Sequence, residues 1–164
     1  GRLTESITVE HYHDLGKLLF AFVIFWGYIA FSQYLLMWYA NIPEETVYYQ
    51  LRQSNGWAGV SLLLLLGHLL IPFFGLLPRA MKRRKGPLVF WCVWLLVFHW
   101  IDMYWLVMPT YQAQAGPTFG LIDLSLLVGL GSLFGGGVLR IARDRTLVPL
   151  NDPRLGESLA FENS

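Results

Sequence analysis

Leu88-Val-Phe-Trp-Cys-Val-Trp-Leu-Leu-Val-Phe-His-Trp-Ile-Asp-Met-Tyr-Trp-Leu-Val-Met108 is the stretch that decides the fold. Nearly every position is apolar or aromatic, and the length matches the roughly 20 residues a helix needs to cross a bilayer. Two ionisable residues interrupt it, His99 and Asp102. A spacing of three puts them about one turn apart on a shared helix face. An acid in the middle of a membrane helix costs at least about 2.5 kcal/mol, so it has to face protein or a wet cavity. The stretch therefore reads as a membrane helix with a polar stripe turned inward.

Outward from this stretch, the composition agrees. Of 164 residues, 55% are hydrophobic and only 14% charged, and the mean hydropathy is +0.46. These values exclude an ordinary soluble domain and mark a polytopic membrane protein. A net charge of +1 gives no reason to expect a nucleic-acid partner. The lone cysteine, Cys92, permits no disulfide within the chain and no Cys-x-x-Cys-His haem attachment, and it reads as a small buried hydrophobe.

Three further apolar runs flank the central one. Residues 1–14 are polar and lead into a first span over 15–40, with His11, His13, Asp14 and Lys17 at its start and Tyr28, Ser32 and Gln33 in its interior. Asn41-Ile-Pro43 stops that helix, and 41–56 reads as a loop. A second span over 57–77 carries Ser61 and His68, and Pro72 and Gly75 are expected to kink its end, with neighbouring helices satisfying the freed carbonyls. The third span is 88–108. The fourth, over 119–141, begins with Asp123 and Ser125 and turns glycine-rich, with Gly131 and Gly135 spaced for close approach of another helix. The expected architecture is an all-α, up-down bundle of four transmembrane helices, followed by an extended tail over 142–164.

Charge sets the expected orientation. Pro78 to Pro87 holds five basic residues and no acid, and Arg140, Arg143 and Arg145 follow the fourth span. Basic excess marks the cytoplasmic side, so both ends face the cytoplasm and 41–56 and 109–118 face outward. At about 1.5 Å per residue, His68, His99 and Tyr28 then sit near the midplane. Asp102, Ser32 and Gln33 lie nearer the outside, Asp123 further out, and His13, Asp14 and Lys17 at the inner end. This is a ladder of protonatable groups. It fits a proton path or a pocket for a quinone headgroup, since a quinol sheds protons and its oxygens need hydrogen-bond partners. It also fits a b-type haem held by His68 and His99, or polar groups that satisfy one another in a scaffold. His99 and Asp102 are the expected functional centre, with His68 and Asp123 supporting; no metal ligand set is expected.

His13-Asp-Leu-Gly-Lys17, Phe31-Ser-Gln-Tyr-Leu-Leu-Met-Trp-Tyr-Ala-Asn-Ile-Pro-Glu-Glu45, His99-Trp-Ile-Asp-Met-Tyr-Trp105 and Asp152-Pro-Arg-Leu-Gly-Glu-Ser-Leu-Ala-Phe-Glu-Asn163 together resemble a known family. They are similar to the quinone-associated membrane subunits of bacterial alternative complex III, of the polysulphide-reductase (NrfD-like) type, and most of all to the second of its two large membrane subunits. The resemblance spans nearly the whole chain, which opens on Gly1 and would correspond to the C-terminal bundle of a longer protein. It implies a subunit without its own redox centre in an inner-membrane quinol:cytochrome c oxidoreductase. The implied ligand is a quinol, menaquinol or ubiquinol. The implied partners are a sister NrfD-like subunit, iron–sulphur and cytochrome c subunits, and membrane lipid. A b-haem anchor and a structural scaffold remain the alternatives.

Overall fold

The computed structural model describes residues 7–112, 114–143, 145 and 152–160. Among these the chain is all-α, with no strand. Seven helices follow one another: α1 (Val9–Ala40), α2 (Pro43–Gln53), α3 (Trp57–Leu76), α4 (Arg79–Arg83), α5 (Lys85–Tyr111), α6 (Leu121–Arg143) and α7 (Leu155–Ala160). Four of them, α1, α3, α5 and α6, are long and apolar enough to cross a membrane. The protein is therefore a membrane protein with four candidate spans.

Two compact units divide the chain: His11–Thr118, and Gly1–Glu10 with Phe119–Ser164. The larger holds α1, α3 and α5. Its core is Val23, Leu76, Trp91 and Leu95, packed against by Leu19, Phe20, Leu69, Phe73 and Trp94. Large apolar side chains on the outside, such as Phe22, Phe25, Leu63, Phe74, Val93 and Leu96, are exposed. In water this would be an aggregation-prone surface; in a bilayer it is the lipid-facing side. Cys92 belongs to that exposed side rather than to the core. Its neighbours Trp91 and Leu95 point inward, and the turn between them leaves position 92 outside.

Helix signals in the sequence explain where the elements begin and where expectations shift. α1 starts at Val9 rather than Leu15, because Glu10 favours the positive end of the helix dipole. Residues 41–56, expected as a loop, are helical over α2. Pro43 stands in its first turn with Glu44 and Glu45, and Arg52 in its last, an arrangement suited to both ends of the dipole. The connection from α5 is tied down by the Tyr104 hydroxyl, which donates to the Thr118 carbonyl at 2.7 Å. Gly116 there has φ +73°, and a Cβ would sit 2.4 Å from the Asn55 carbonyl oxygen, so only glycine fits.

The second span is continuous but not uniformly α. Leu65–Leu70 is wound as a π-helix, and the Ile71 amide bonds back to the Leu66 carbonyl, five residues earlier. Pro72 is the physical cause. It has no N–H to give the His68 carbonyl, and its ring crowds that carbonyl, so the preceding turn widens. The expected kink is thus taken up as a wider turn. One of its carbonyls finds a partner on a neighbouring helix: Trp94 Nε1 donates to the Gly67 carbonyl at 2.8 Å. At the end of α3, the buried Lys82 ammonium donates to the carbonyls of Leu76 and Leu77 at 2.7 and 3.0 Å. A cation at a helix C-terminus satisfies open carbonyls and complements the dipole together.

The smaller unit contains α6, none of whose residues is buried. Its head is closed by Asp123, whose Oδ2 accepts the Gly120 amide at 2.9 Å, the third-residue half of a capping box. Positions 131 and 135 are open: a Cβ there would meet nothing within 4 Å among the described residues. The tail expected to be extended carries α7. Asp152 Oδ1 accepts the Arg154 amide at 2.9 Å, and Pro153 and Glu157 suit a helix start. Residues 1–6, 146–151 and 161–164 of the polar ends lie outside the described residues.

Candidate functional site

The central feature of the larger unit is a cavity of about 640 Å³. This falls within the 300–1,000 Å³ typical of small-molecule sites. Its walls are mostly apolar, formed by Gly27, Ile29, Leu64, Leu65, Leu69 and Leu106, among others. A few polar groups converge on it: Asp102, Gln33, Ser61, Tyr34, Tyr49 and the indoles of Trp26 and Trp105. From Trp26 to Tyr34 it follows α1 over roughly 12 Å, at 1.5 Å per residue. One end lies beside Asp102 and the other beneath α2.

Asp102 is 5% exposed. Its Oδ2 accepts the Trp26 indole N–H at 2.9 Å, a bond from α1 to α5. A carboxylate of this kind needs several donors when buried. Among the described residues no protein donor is recorded for Oδ1, and Asp102 lines the cavity. Trp26 also lies against His68, ring centroids 4.2 Å apart and tilted by 37°. His68 is buried in the π turn, and its Nδ1 has no hydrogen-bond partner among the described residues. The His99 ring stands 6.3 Å from that of His68, edge on. The site therefore gathers Asp102, Trp26 and His68, with His99 beyond.

The shared face expected for His99 and Asp102 splits. Three residues along a helix advance 300°, leaving 60° between the two side chains. That rotation turns Asp102 into the cavity and leaves His99 exposed. Gln33 lines the cavity, while Ser32, half-buried beside it, does not. Tyr28 points away and is 65% exposed. Asp123 serves the head of α6. At the start of α1, His13 is buried, and Asp14 and Lys17 form an exposed ion pair at 3.2 Å. Near them, burial and then the Lys17 charge pull the Lys82 ammonium below the ordinary lysine range.

Sequence reasoning missed the far end of the cavity. Arg52 of α2 is 1% exposed. Its guanidinium donates to the Tyr48 carbonyl at 2.8 Å and to the Leu106 carbonyl of α5 at 2.6 Å. It lies 3.4 Å over the Tyr48 ring and 4.9 Å from that of Trp105. Ser61 closes the knot: its hydroxyl lies 3.1 Å from the Arg52 carbonyl and accepts the Trp105 indole N–H at 2.8 Å. Burial lifts the Tyr48 hydroxyl above its usual range, opposed by Arg52 and reinforced by Asp102. Burial first, and then Tyr48, push Tyr49 up to about 12. Both hydroxyls stay protonated donors at any physiological pH. The signal was present in Pro43-Glu-Glu-Thr-Val-Tyr-Tyr-Gln-Leu-Arg-Gln53, a Pro and two acids followed by a basic end.

By its chemistry, such a lining is suited to a largely apolar molecule carrying one or two polar oxygens. Asp102 supplies an acceptor at one end. The tyrosine hydroxyls, Gln33 and Ser61 supply hydrogen-bonding groups along the length. Compared with known proteins, the chain matches no family model and no curated sequence.

Proposed function

We propose that this chain is an integral membrane subunit of a bacterial respiratory quinol:cytochrome c oxidoreductase of the alternative complex III type, and that its cavity takes the quinol. The reading rests on the resemblance of its motifs to that complex, and the observation that carries it is the apolar cavity ending on a buried carboxylate. A quinol is an apolar ring and tail with two hydroxyl groups. The ring fits between α1 and α5, and Asp102 Oδ1 accepts a proton from one hydroxyl. The Trp26 indole holds Oδ2, so the free oxygen is fixed toward the ligand. Electrons leave for redox centres on partner subunits. The second hydroxyl's proton follows by the same carboxylate once the first has passed on, and His68, which lies against Trp26, is the nearest further protonatable group.

In this proposal the membrane is the inner membrane, and Arg79 to Lys85 and both ends face the cytoplasm, which puts α2 on the outer side. Asp102→Asn tests the reading, because it keeps the shape and the acceptor for Trp26 but removes the ionisable group. The assembled complex should lose quinol-oxidation turnover by about 10² or more, as expected when a positioned base is removed. Wild-type turnover in assembled Asp102→Asn complex would reduce Asp102 to a hydrogen-bonding strut and favour the scaffold alternative.

A further inference from the structure

α2 lies where it can roof the outer end of the cavity, and it is attached there in an unusual way. A short helix with Glu44 and Glu45 at one end gains little by lying against an apolar bundle. Its polar hold on α5 comes through one long cationic side chain, Arg52, which is buried beside the edge-on contact of the Tyr48 and Trp105 rings. A buried charge is retained only when its donors are well used. Here the two terminal guanidinium nitrogens bridge α2 and α5 through the Tyr48 and Leu106 carbonyls and the flat face stacks on Tyr48, while the buried Nε has no partner among the described residues. The same knot includes Ser61 of α3 and Trp105 of α5. Ser61, Trp105, Leu106 and Tyr49 all line the cavity.

We infer that Arg52 is a positioning residue which clamps α2 as a roof over the cavity, setting the width of its outer end through Leu106, Ser61 and Trp105. It does not touch the cavity ligand; it acts through the residues that do. Lysine cannot replace it, because one ammonium cannot bridge two carbonyls while presenting a planar face to Tyr48. The consequence for a quinol rests on the reading proposed above, but the roof itself does not.

The test uses the full chain in its native membrane with Cys92→Ala, and reads the reaction rate of a small thiol reagent at two introduced cysteines. Ala30→Cys reports the cavity, and Val23→Cys, in the core beyond it, reports the fold as a whole. Arg52→Lys should raise the rate at position 30 about tenfold and leave position 23 within twofold. Ser61→Ala cuts the same knot without touching a charge and should raise the rate at position 30 severalfold, which keeps the test in hand should Arg52→Lys not accumulate. An unchanged rate at position 30 in both variants overturns the roof, as does an equal rise at both positions. Quinol kinetics then separate the two ideas. Arg52→Lys should raise KM about fivefold to tenfold with kcat within twofold. A faster rate at position 30 with unchanged KM keeps the roof and removes the quinol from this cavity.

Discussion

A carboxylate, an indole and an imidazole meet at the centre of the candidate site: the Trp26 indole donates to Asp102 and lies against the His68 ring. Among the described residues the Trp26 indole is the one donor seen on Asp102, which also lines the cavity. At the α2 end of the cavity, burial raises Tyr48 and Tyr49 so that both keep their protons. Tyr49 is raised from 10.0 to about 12, by burial first. A hydroxyl whose folded value exceeds its unfolded value contributes stability that is complete below pH 10 and disappears as pH rises through about 12. Absorbance titration of phenolates should therefore show late-titrating tyrosines, and Tyr49→Phe should remove the one near 12. The variant should also lose less stability than wild type between pH 10 and 12. A Tyr49 that ionises at 10 would show that α2 is not seated over the cavity.

Among the elements, α3 departs furthest from a regular pattern. A six-residue π turn in the middle of a membrane helix gives up regular α hydrogen bonds, and Pro72 forces it. The widened turn carries Gly67 and His68 inward. Gly67 packs so close to Phe98 that a Cβ would overlap its ring, and His68 lies against Trp26. Pro72→Ala restores the missing N–H, which can then bond the His68 carbonyl in α geometry. The turn should tighten, and His68 should rotate away from Trp26. With only four histidines in the chain, the His68 ring signals are resolvable by NMR on histidine-labelled protein. They should shift downfield as the indole ring current is lost; an unmoved resonance would mean that tertiary packing, not Pro72, holds the π turn.

For the molecule as a whole, the basic segment and the roof helix should emerge on opposite sides of the membrane. Arg79, Arg84 and Lys85 are exposed at the junction of α4 and α5, and Glu44 and Glu45 at the head of α2. With Cys92→Ala as background, an impermeant thiol reagent applied to intact cells should label Glu44→Cys and miss Lys85→Cys. The reverse pattern would invert the proposed orientation and put the cavity's outer end on the cytoplasmic side. The basic segment has a second task that its composition hides. Lys82 turns inward and caps α3, while Arg84 and Lys85 stay exposed.

Hydropathy alone determined the spans, because a bilayer admits only segments whose backbone bonds are internal and whose side chains are apolar over a fixed length. Asp102 was legible for the same reason: a carboxylate in an apolar run must turn inward wherever the helix sits. His99 was not, since a 60° rotation separates inside from outside and spacing cannot resolve it. The helix in 43–53 was written in its Pro, its two acids and its basic end, but those signals are local and say nothing about what the helix covers. Arg52, Trp26 and Trp105 became part of the candidate site only through partners 44 to 76 positions away in the chain. Whether a buried cation finds a carbonyl, or an indole finds a carboxylate, depends on distances between helices. Packing fixes those distances, and no periodicity within a single helix records them.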